Sequence, residues 1–407
     1  MQDNSRKEVV VETDEPPDRR LQTCDTPPCK YEEPSIHGVP RSLWNDWRWQ
    51  IQNRIRSVPE LLKRFPGLAR AQDVARVASV YPMAITPHYA SLIRRPDRTD
   101  PVFAMSVPQV EELFDPPFLS SDPLEEEKRM PVPCLVHRYH DRALVLATTM
   151  CAMYCRHCTR KRVAGTRESA IGADELGQIV DYLKKNPAIR DVIISGGDPF
   201  TLPTPVLEKI IASIRSVESV EIIRIGTRTP VVLPQRITRE LTAMLRRYHP
   251  LWINTHFNHP AEITGEAASA CARLADAGIP LGNQTVLLRG VNDDPVTMEH
   301  LFRSLVRMRV RPYYLFQCDL VKGVEHFRTP IQRGLQIMEH LRARVSGLAI
   351  PAFVVDAPGG AGKIPLIPDY VVERTRAYTK LRNGEGRQAV YPEPADLSRD
   401  GATQGIA

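Results

Sequence analysis

The segment ALVLATTMCAMYCRHC, residues 143–158, joins a short apolar run to three cysteines in the spacing CxxxCxxC. The apolar run, 143–149, has the length and composition of a buried β-strand. Cys151, Cys155 and Cys158 are soft ligands on one loop, and three thiolates leave one coordination position of a metal centre open. The segment therefore predicts an iron–sulfur or zinc site at the end of a buried strand.

Similar apolar runs recur along the chain. They lie at residues 143–149, 191–196, 220–226, 251–257, 282–288 and 311–317, and a last one lies at 352–357. Helical patterns such as ADELGQIVDYLKK separate them, with apolar residues three and four positions apart. Strands that alternate with helices imply βαβ units, a parallel sheet and an α/β fold. An open barrel of six strands and a doubly wound sheet fit this pattern equally well.

In both architectures ligands bind at the carboxyl ends of the strands. The chemically unusual residues of this chain lie at those ends. They are Cys151 after the first strand, Gly196–Asp198 after the second, His256 at the end of the fourth, Asp319 after the sixth and Asp356 at the end of the last. We therefore expect them to share one site.

The composition divides the chain into regions. Residues 1–35 are polar and proline-bearing, and we expect a disordered tail there. Helical patterns and a proline-rich linker occupy 36–135, and the α/β core spans 136–330. A C-terminal segment follows at 331–388, and 389–407 is polar and predicted to be a loose tail.

Charge and cysteine usage exclude several classes of protein. The 54 basic and 48 acidic residues give a net charge of only +6, spread along the chain, so we expect no nucleic-acid partner. The sequence has no apolar stretch of about 18 residues and no signal-peptide pattern, so we expect no membrane association and a cytoplasmic location. Eight cysteines are too few for a disulfide scaffold. An alternative from another class is a non-enzymatic iron–sulfur or zinc protein that binds nucleic acid through RHCTRKR.

Two glycine motifs predict close approach of the backbone to ligands. The first is Ser195-Gly196-Gly197-Asp198, in which paired glycines permit such an approach. The second runs from Asp356 to Lys363 and lacks the spacing of a phosphate loop, because Ile364 follows the lysine. Its backbone N–H groups can still bind an anion, and a neighbouring lysine can form a Schiff base with the aldehyde of a phosphorylated cofactor.

The cysteine spacing after the first strand resembles the signature of the radical S-adenosylmethionine (SAM) superfamily. SGGD after the second strand resembles the superfamily's GGE-type contact to the SAM amino group. From His137 to Tyr370 the chain is similar to the lysine 2,3-aminomutase family. The resemblance rests on HRYHDRALVLATTMCAMYCRHCTRKRVAG, SGGDP, THFNHPAEIT, LADAGIPLGNQTVLLRGVND, RPYYLFQCDL, GVEHFRTP and FVVDAPGGAGKIPLIPDY.

This resemblance implies a partial (β/α)6 barrel with an N-terminal helical extension and a C-terminal segment that carries a lysine for pyridoxal phosphate (PLP). It also implies a [4Fe–4S] cluster, SAM and PLP as cofactors. Lys363 matches the lysine that holds PLP, and Arg138 matches an arginine near the PLP phosphate. Arg160 matches the arginine that pairs with the substrate carboxylate. His256 and Gln284 match positions near SAM.

The resemblance assigns Asp319 and Asp356 to the ε-ammonium of bound lysine. Two carboxylates aimed at one point select a cation and disfavour an acidic side chain. The implied reaction is the interconversion of L-lysine and β-lysine by a 1,2-amino shift. The same reaction on L-arginine, or on another basic amino acid such as ornithine, stays an alternative.

One departure from the family concerns zinc. The family's best-known members bind zinc through a cysteine near GVND and a C-terminal cysteine cluster, whereas this chain has Asp294 at the first position and no cysteine after Cys318. We therefore expect no zinc. We also expect an electron donor of flavodoxin or ferredoxin type and a homo-oligomer, since the resemblance implies both.

Overall fold

A computed structural model describes residues 39–165 and 167–394. The predicted disordered tail at 1–35 and residues 395–407 of the predicted loose tail lie outside these ranges. No helix in the described part of the chain is both long and apolar enough to cross a membrane.

The strands follow the apolar runs of the sequence closely. They are β1 (Leu135–Tyr139), β2 (Arg142–Thr148), β3 (Asp191–Gly196), β4 (Ile222–Gly226), β5 (Leu251–Thr255), β6 (Leu281–Leu287), β7 (Arg311–Gln317), β8 (Ala352–Ala357), β9 (Gly362–Leu366), β10 (Val371–Arg374), β11 (Tyr378–Arg382) and β12 (Gln388–Pro392). The predicted strand at 220–226 begins two residues later, at Ile222; the N–H of Val220 still bonds back to the Val217 carbonyl.

One group of helices precedes the sheet, and a second group lies between its strands. The N-terminal helices are α1 (Arg41–Trp44), α2 (Trp47–Gln52), α3 (Val58–Arg64), α4 (Ala71–Val80), α5 (Pro87–Ser91) and α6 (Pro101–Ser106). Those between strands are α7 (Ala173–Lys185), α8 (Thr204–Arg215), α9 (Thr229–Val232), α10 (Arg239–Leu245), α11 (Gly265–Asp276), α12 (Pro295–Arg307) and α13 (Ile331–Arg344). Helix α7 spans ADELGQIVDYLKK, and its buried residues Leu176, Ile179 and Leu183 follow the apolar spacing seen in the sequence.

The main sheet has the strand order β1 to β9, the same as the order in the chain. Strands β2 to β8 are parallel, and β1 and β9 are antiparallel edges. In a doubly wound sheet the strand order reverses at a switch point. No such reversal occurs from β1 to β9, so the fold is the open barrel and not the doubly wound sheet. The barrel carries one parallel strand more than the six predicted, because β8 of the C-terminal segment joins it.

Successive side chains of each strand point alternately toward the surrounding helices and toward the barrel interior. In β3, Val192 and Ile194 are fully buried beneath the helices, whereas Ile193 and Ser195 face an internal cavity. Residues of every strand from β1 to β9 line this cavity, so the sheet curls around it.

The C-terminal region differs from its prediction at one point. Strand β12 pairs with β11 in a separate antiparallel sheet and extends to Pro392. The loose tail predicted from residue 389 is therefore wrong for 389–392. The sequence QAVYP is exposed along its length and lacks the buried alternation that would have indicated a strand.

Candidate active site

The internal cavity has a volume of about 570 Å³, and its lining runs from Arg142 and Ala352, which begin β2 and β8, to His256 and Asp319, which follow the carboxyl ends of β5 and β7. Seven of the fourteen residues selected from the sequence contribute to its wall. They are Ser195, His256, Gln284, Arg160, Asp319, Asp356 and Lys363. Arg138 contacts the cavity residue Asp356. Strand ends far apart in sequence therefore form one site, as the α/β pattern predicted.

The N-terminal helical region holds the cysteine loop in place. The backbone N–H of Tyr154 donates to the Ala84 carbonyl and that of Arg156 to the Met105 carbonyl, both at 3.0 Å. Arg54 Nη1 donates to the carbonyl oxygen of Cys151 at 2.5 Å. The region before the barrel thus fixes the loop by specific hydrogen bonds.

A buried group of charges fixes the same loop from its other side. Arg156 Nη2 lies 2.7 Å from Glu112 Oε2, and Lys161 Nζ lies 2.6 Å from the same oxygen. Burial would raise the pKa of Glu112, but Arg156 and Lys161 outweigh burial and hold this pKa below its usual value. Removing one partner would leave an uncompensated buried charge, so this arrangement specifies the position of the loop.

The three cysteines of this loop are free thiols. Burial raises the pKa of Cys151, and the neighbouring Cys158, Asp198 and Cys155 raise it further. Burial also raises the pKa of Cys158 to about 11, again with a contribution from Cys155. The thiols are therefore near one another in a buried setting, where binding to iron would remove their protons.

The cysteine loop suits a four-iron cluster better than a single metal ion. No three His, Cys, Asp or Glu side chains in the described ranges are grouped closely enough to hold a single ion. A four-iron cluster is larger than one ion and accepts thiolates that stand further apart, and three cysteines leave one of its irons open. The donor set of Cys151, Cys155 and Cys158 thus fits a [4Fe–4S] cluster.

The paired glycines after β3 are required by close backbone contact. Gly196 has a φ of +119°, and a Cβ on it would overlap the carbonyl oxygen of Thr148. A Cβ on Gly197 would overlap the carbonyl oxygen of Met150. These glycines let the end of β3 lie against the backbone that leads into the cysteine loop.

The carboxylate of Asp198 is engaged within the protein. Its oxygens accept hydrogen bonds from Phe200 N at 3.0 Å, Thr227 Oγ1 at 2.6 Å and Arg228 N at 2.7 Å. Asp198 and the two glycines do not line the cavity, whereas Ser195 does. The role of this motif toward SAM stays a prediction.

Two further residues matched to SAM positions face the cavity. Burial lowers the pKa of His256 to about 4, with Arg228 adding to the effect and Gln284 opposing it. The imidazole of His256 is therefore neutral at physiological pH and can accept or donate a hydrogen bond beside Gln284.

The lysine predicted to hold PLP lies at the opposite wall. Lys363 and Asp356 are register partners on β9 and β8, and Lys363 Nζ lies 2.7 Å from Asp356 Oδ2. Arg138 Nη1 lies 3.1 Å from the other oxygen of Asp356. Lys363 Nζ also stands over the rings of Phe316 and Tyr139, at 5.4 and 6.0 Å from their centroids.

Several buried donors around this lysine have no hydrogen-bond partner among the described residues. They are Nε and Nη2 of Arg138, Nε of Arg129 and the hydroxyl of Tyr139. Arg129 packs against the glycine turn, since a Cβ on Gly360 would come within 2.8 Å of its Nη2. Buried donors are nearly always satisfied in folded proteins. Cationic donors left open beside a glycine turn fit the phosphate of PLP.

Arg160 and Asp319, the other residues predicted to bind the substrate, also lie in the cavity wall. Arg160 donates through Nε and Nη2 to the buried carboxylate of Glu126, at 2.6–3.1 Å. Thr159 Oγ1 donates to Asp319 Oδ2 at 2.6 Å. Glu126 therefore orients Arg160. These hydrogen bonds involve Nε and Nη2 of Arg160 but not Nη1.

The charge of Asp356 acts on the neighbouring Asp319. Burial raises the pKa of Asp319 to about 6, and the negative charge of Asp356 contributes to the rise. Lys363 and Arg160 act in the opposite direction on Asp319. These four residues therefore share one electrostatic environment.

Asp294, the residue at the position where relatives with zinc have a cysteine, serves as a helix cap. Its Oδ2 accepts from Thr297 N at 2.8 Å at the start of α12. The absence of zinc stays a prediction.

Sequence reasoning missed several residues of the site. Arg129, Tyr139, Glu126 and Arg228 all contact the predicted residues or the glycine turn. Arg129 and Glu126 lie in a charged linker without periodicity, so no local signal marked them. Tyr139 follows Arg138, which was predicted to lie near the PLP phosphate. This position in β1 is the feature of the sequence that could have indicated Tyr139 as a site residue.

Comparison with known proteins gives two family matches. Residues 145–301 match the model of the radical SAM superfamily, and residues 338–406 match the model described as lysine-2,3-aminomutase. The first covers the cysteine loop and SGGD, and the second covers Asp356 and Lys363.

Individual relatives match most of the chain. An L-lysine 2,3-aminomutase of Clostridium subterminale is 53% identical over 356 residues, which are 87% of this chain and 86% of the relative. One of Fusobacterium nucleatum is 51% identical over 359 residues, 88% of this chain and 84% of the relative. A glutamate 2,3-aminomutase of Clostridioides difficile is 45% identical over 345 residues, 84% of this chain and 82% of the relative.

Proposed function

This chain belongs to the lysine 2,3-aminomutase family of radical SAM enzymes, and we propose that it interconverts L-lysine and β-lysine (3,6-diaminohexanoate). The amino group moves between C2 and C3, so the enzyme is an isomerase. The observation that carries the choice of substrate is the pair Asp319 and Asp356, which face one cavity together with Lys363.

The family uses a [4Fe–4S] cluster, SAM and PLP. When bound, these groups supply a carbon-centred radical that takes and returns a hydrogen atom, and a π-system over which an unpaired electron spreads. We assign Cys151, Cys155 and Cys158 to the cluster. Ser195, Gly196, Gly197 and Asp198 shape the SAM side of the site together with His256 and Gln284.

At the other wall, Lys363 would hold PLP through its ε-amino group. Arg138, Arg129 and the Tyr139 hydroxyl supply donors for the phosphate, and this assignment accounts for their unpartnered buried atoms. Asp356, which contacts both Arg138 and Lys363, keeps the two cationic groups at a defined separation. The barrel wall around them excludes water from the reacting atoms.

The substrate is held at both of its charged ends. Arg160, oriented by Glu126, lies in the wall as the partner for the α-carboxylate. Asp319 and Asp356 receive the side-chain ammonium. Lys363 Nζ already lies 2.7 Å from Asp356, which supports the ability of this carboxylate to bind an alkylammonium.

Electrostatics favours a basic substrate over an acidic one. At an effective dielectric constant of 20, a unit-charge contact at 4 Å contributes roughly 4 kcal/mol before desolvation. A substrate carboxylate placed between Asp319 and Asp356 would be repelled to a similar extent. Because a glutamate 2,3-aminomutase shares 45% identity with this chain, overall similarity alone does not decide the substrate.

The cluster needs a one-electron donor, and we propose a low-potential protein of flavodoxin or ferredoxin type. We also propose a homo-oligomer and a cytoplasmic location. Charge supports a small-molecule substrate rather than a nucleic acid, since buried ion pairs already engage Arg156, Arg160 and Lys161 of RHCTRKR.

The function is tested anaerobically on reconstituted protein with SAM, PLP and dithionite. L-Lysine, L-arginine, L-ornithine and L-glutamate are supplied separately, and products are compared with β-amino acid standards by chromatography and mass spectrometry. We expect β-lysine at a kcat/KM well above the value for any other substrate. β-Arginine as the main product would keep the reaction and overturn the substrate, whereas SAM cleavage without any β-amino acid would overturn the aminomutase assignment.

A further inference from the structure

Arg228, in the loop after β4, contacts a cysteine of the cluster loop that lies 73 positions earlier in the sequence. Its Nη1 donates to the sulfur of Cys155 at 2.7 Å. The Arg228 side chain is only 8% exposed. The guanidinium carries a positive charge and directs an N–H at the sulfur, so this contact is a charge-assisted hydrogen bond.

Neighbouring groups fix this guanidinium in one orientation. Nη2 lies 2.6 Å from Glu262 Oε1 and 3.2 Å from the Tyr89 hydroxyl, and Nε donates to the His256 carbonyl at 3.2 Å. Glu262 is itself held, because it accepts from the Tyr89 hydroxyl at 2.8 Å and from Asn258 N at 2.6 Å. Arg228 therefore has little freedom to turn away from Cys155.

The backbone of Arg228 connects this contact to the SGGD motif. Its N–H donates to Asp198 Oδ2 at 2.7 Å, and Thr227 donates to the other oxygen of the same carboxylate. The end of β3, the loop after β4 and the cysteine loop are thus joined through one residue.

We propose that Arg228 sets the reduction potential of the cluster through its hydrogen bond to Cys155. This inference rests on the proposed function, because it requires a [4Fe–4S] cluster on Cys151, Cys155 and Cys158. Reduction transfers one electron from an external reductant to the cluster, adds one negative charge to it, and forms or breaks no bond. A guanidinium N–H directed at a ligand sulfur stabilises the more negative state, so Arg228 raises the potential.

A purely structural role is the competing explanation, and Arg236 provides the matched control. Arg236 is 1% exposed and donates to the carbonyl oxygens of Phe200 and Leu202 at 2.8 and 3.0 Å, without a contact to sulfur. Arg228→Lys keeps a cation beside Glu262 but replaces by one ammonium the two separate nitrogens that reach Glu262 and Cys155, and the carboxylate is the stronger acceptor of the two. Arg236→Lys makes the same chemical change at an equally buried site.

The experiment is an anaerobic redox titration of the reconstituted full chain with dithionite, followed by electron paramagnetic resonance. It needs neither PLP nor substrate, and iron content is measured in parallel. At the midpoint potential of the unchanged chain, Arg228→Lys should lower the ratio of reduced to oxidised cluster about tenfold, which is about 59 mV for one electron. Arg236→Lys should leave the midpoint where it is.

An Arg228→Lys protein with full iron and an unchanged midpoint would overturn the inference and leave the proposed function intact. A chain that assembles no cluster at all would overturn both. If the variant does not retain its cluster, the unmodified chain labelled with guanidino-¹⁵N arginine decides the question. A ¹⁵N hyperfine coupling to the reduced cluster in pulsed resonance spectra supports the contact, and its absence overturns it.

Discussion

The cysteine end and the Lys363 end of the site differ in how many hydrogen bonds their charged groups make within the protein. At the cysteine end, Arg54, Arg156 and Arg228 all have partners within the chain. At the Lys363 end, Arg138 and Arg129 have buried guanidinium nitrogens without a partner in the described part of the chain. The first end is therefore preformed, whereas the second needs an anionic ligand to be complete.

The difference has a physical basis in what each end binds. Cysteine sulfurs must be held at fixed positions for a cluster, and buried ion pairs such as Arg156–Glu112 achieve this before any ligand arrives. A phosphate brings its own charge and acceptors, so its donors stay open until it binds.

Replacing Lys363 by Ala should remove covalent PLP binding and lower mutase turnover by more than about 10³-fold, because Lys363 is the only lysine among the described residues that line the cavity. The iron content and the spectrum of the cluster should not change. Turnover is measured with L-lysine, and PLP attachment is followed by borohydride reduction and peptide mass spectrometry. Normal turnover in this variant would contradict the assignment of Lys363.

Replacing Asp319 by Asn should lower kcat/KM for L-lysine by about 10² to 10³-fold, since one charge contact to the substrate ammonium is lost. Asp319 is the better choice of the two aspartates, because Asp356 also holds Arg138 and Lys363. Asp294→Asn, at an exposed helix cap, is the control and should retain the activity. Equal losses in both variants would argue against a substrate role for Asp319.

The activity should also depend on pH through Asp319. Its raised pKa of about 6 means that its carboxyl group is largely protonated at pH 5, when it cannot pair with an ammonium. We expect kcat/KM for L-lysine to fall about tenfold between pH 7 and pH 5, and Asp319→Asn to abolish this step. The same raised pKa destabilises the fold as pH rises from about 4 to 6, because the folded chain binds this proton more tightly.

Replacing Arg129 by Gln should weaken PLP binding about fivefold, which is about 1 kcal/mol for a half-buried charge beside a phosphate. The cluster end should be unaffected. Lys128→Gln, an exposed neighbour paired with Glu125, is the matched control. PLP affinity is measured by absorbance titration of the PLP-free chain. Equal affinities of the two variants would remove Arg129 from the phosphate site.

The sequence predicted the barrel strands well, because buried strands leave a local signal in the apolar pattern. Apolar runs gave β2 and β3 to within one residue, and ADELGQIVDYLKK gave α7. Cys151 and Lys363 were identified from spacing and from resemblance to the family.

What the sequence did not predict depends on contacts between distant segments. Arg228 reaches Cys155 across 73 positions, and Glu126 reaches Arg160 from a linker without periodicity. Strand β12 exists because it pairs with β11, and its own residues are exposed. Such features follow from the assembled fold and have no local pattern.

The central claim is that this cavity moves an amino group within one molecule of lysine. It is tested most directly by supplying L-lysine labelled with ¹⁵N at the α-amino group to the anaerobic, fully reconstituted chain. We predict β-lysine that carries the label at C3, detected by nuclear magnetic resonance. SAM cleavage without β-lysine, or β-lysine that has lost the label, would contradict the account.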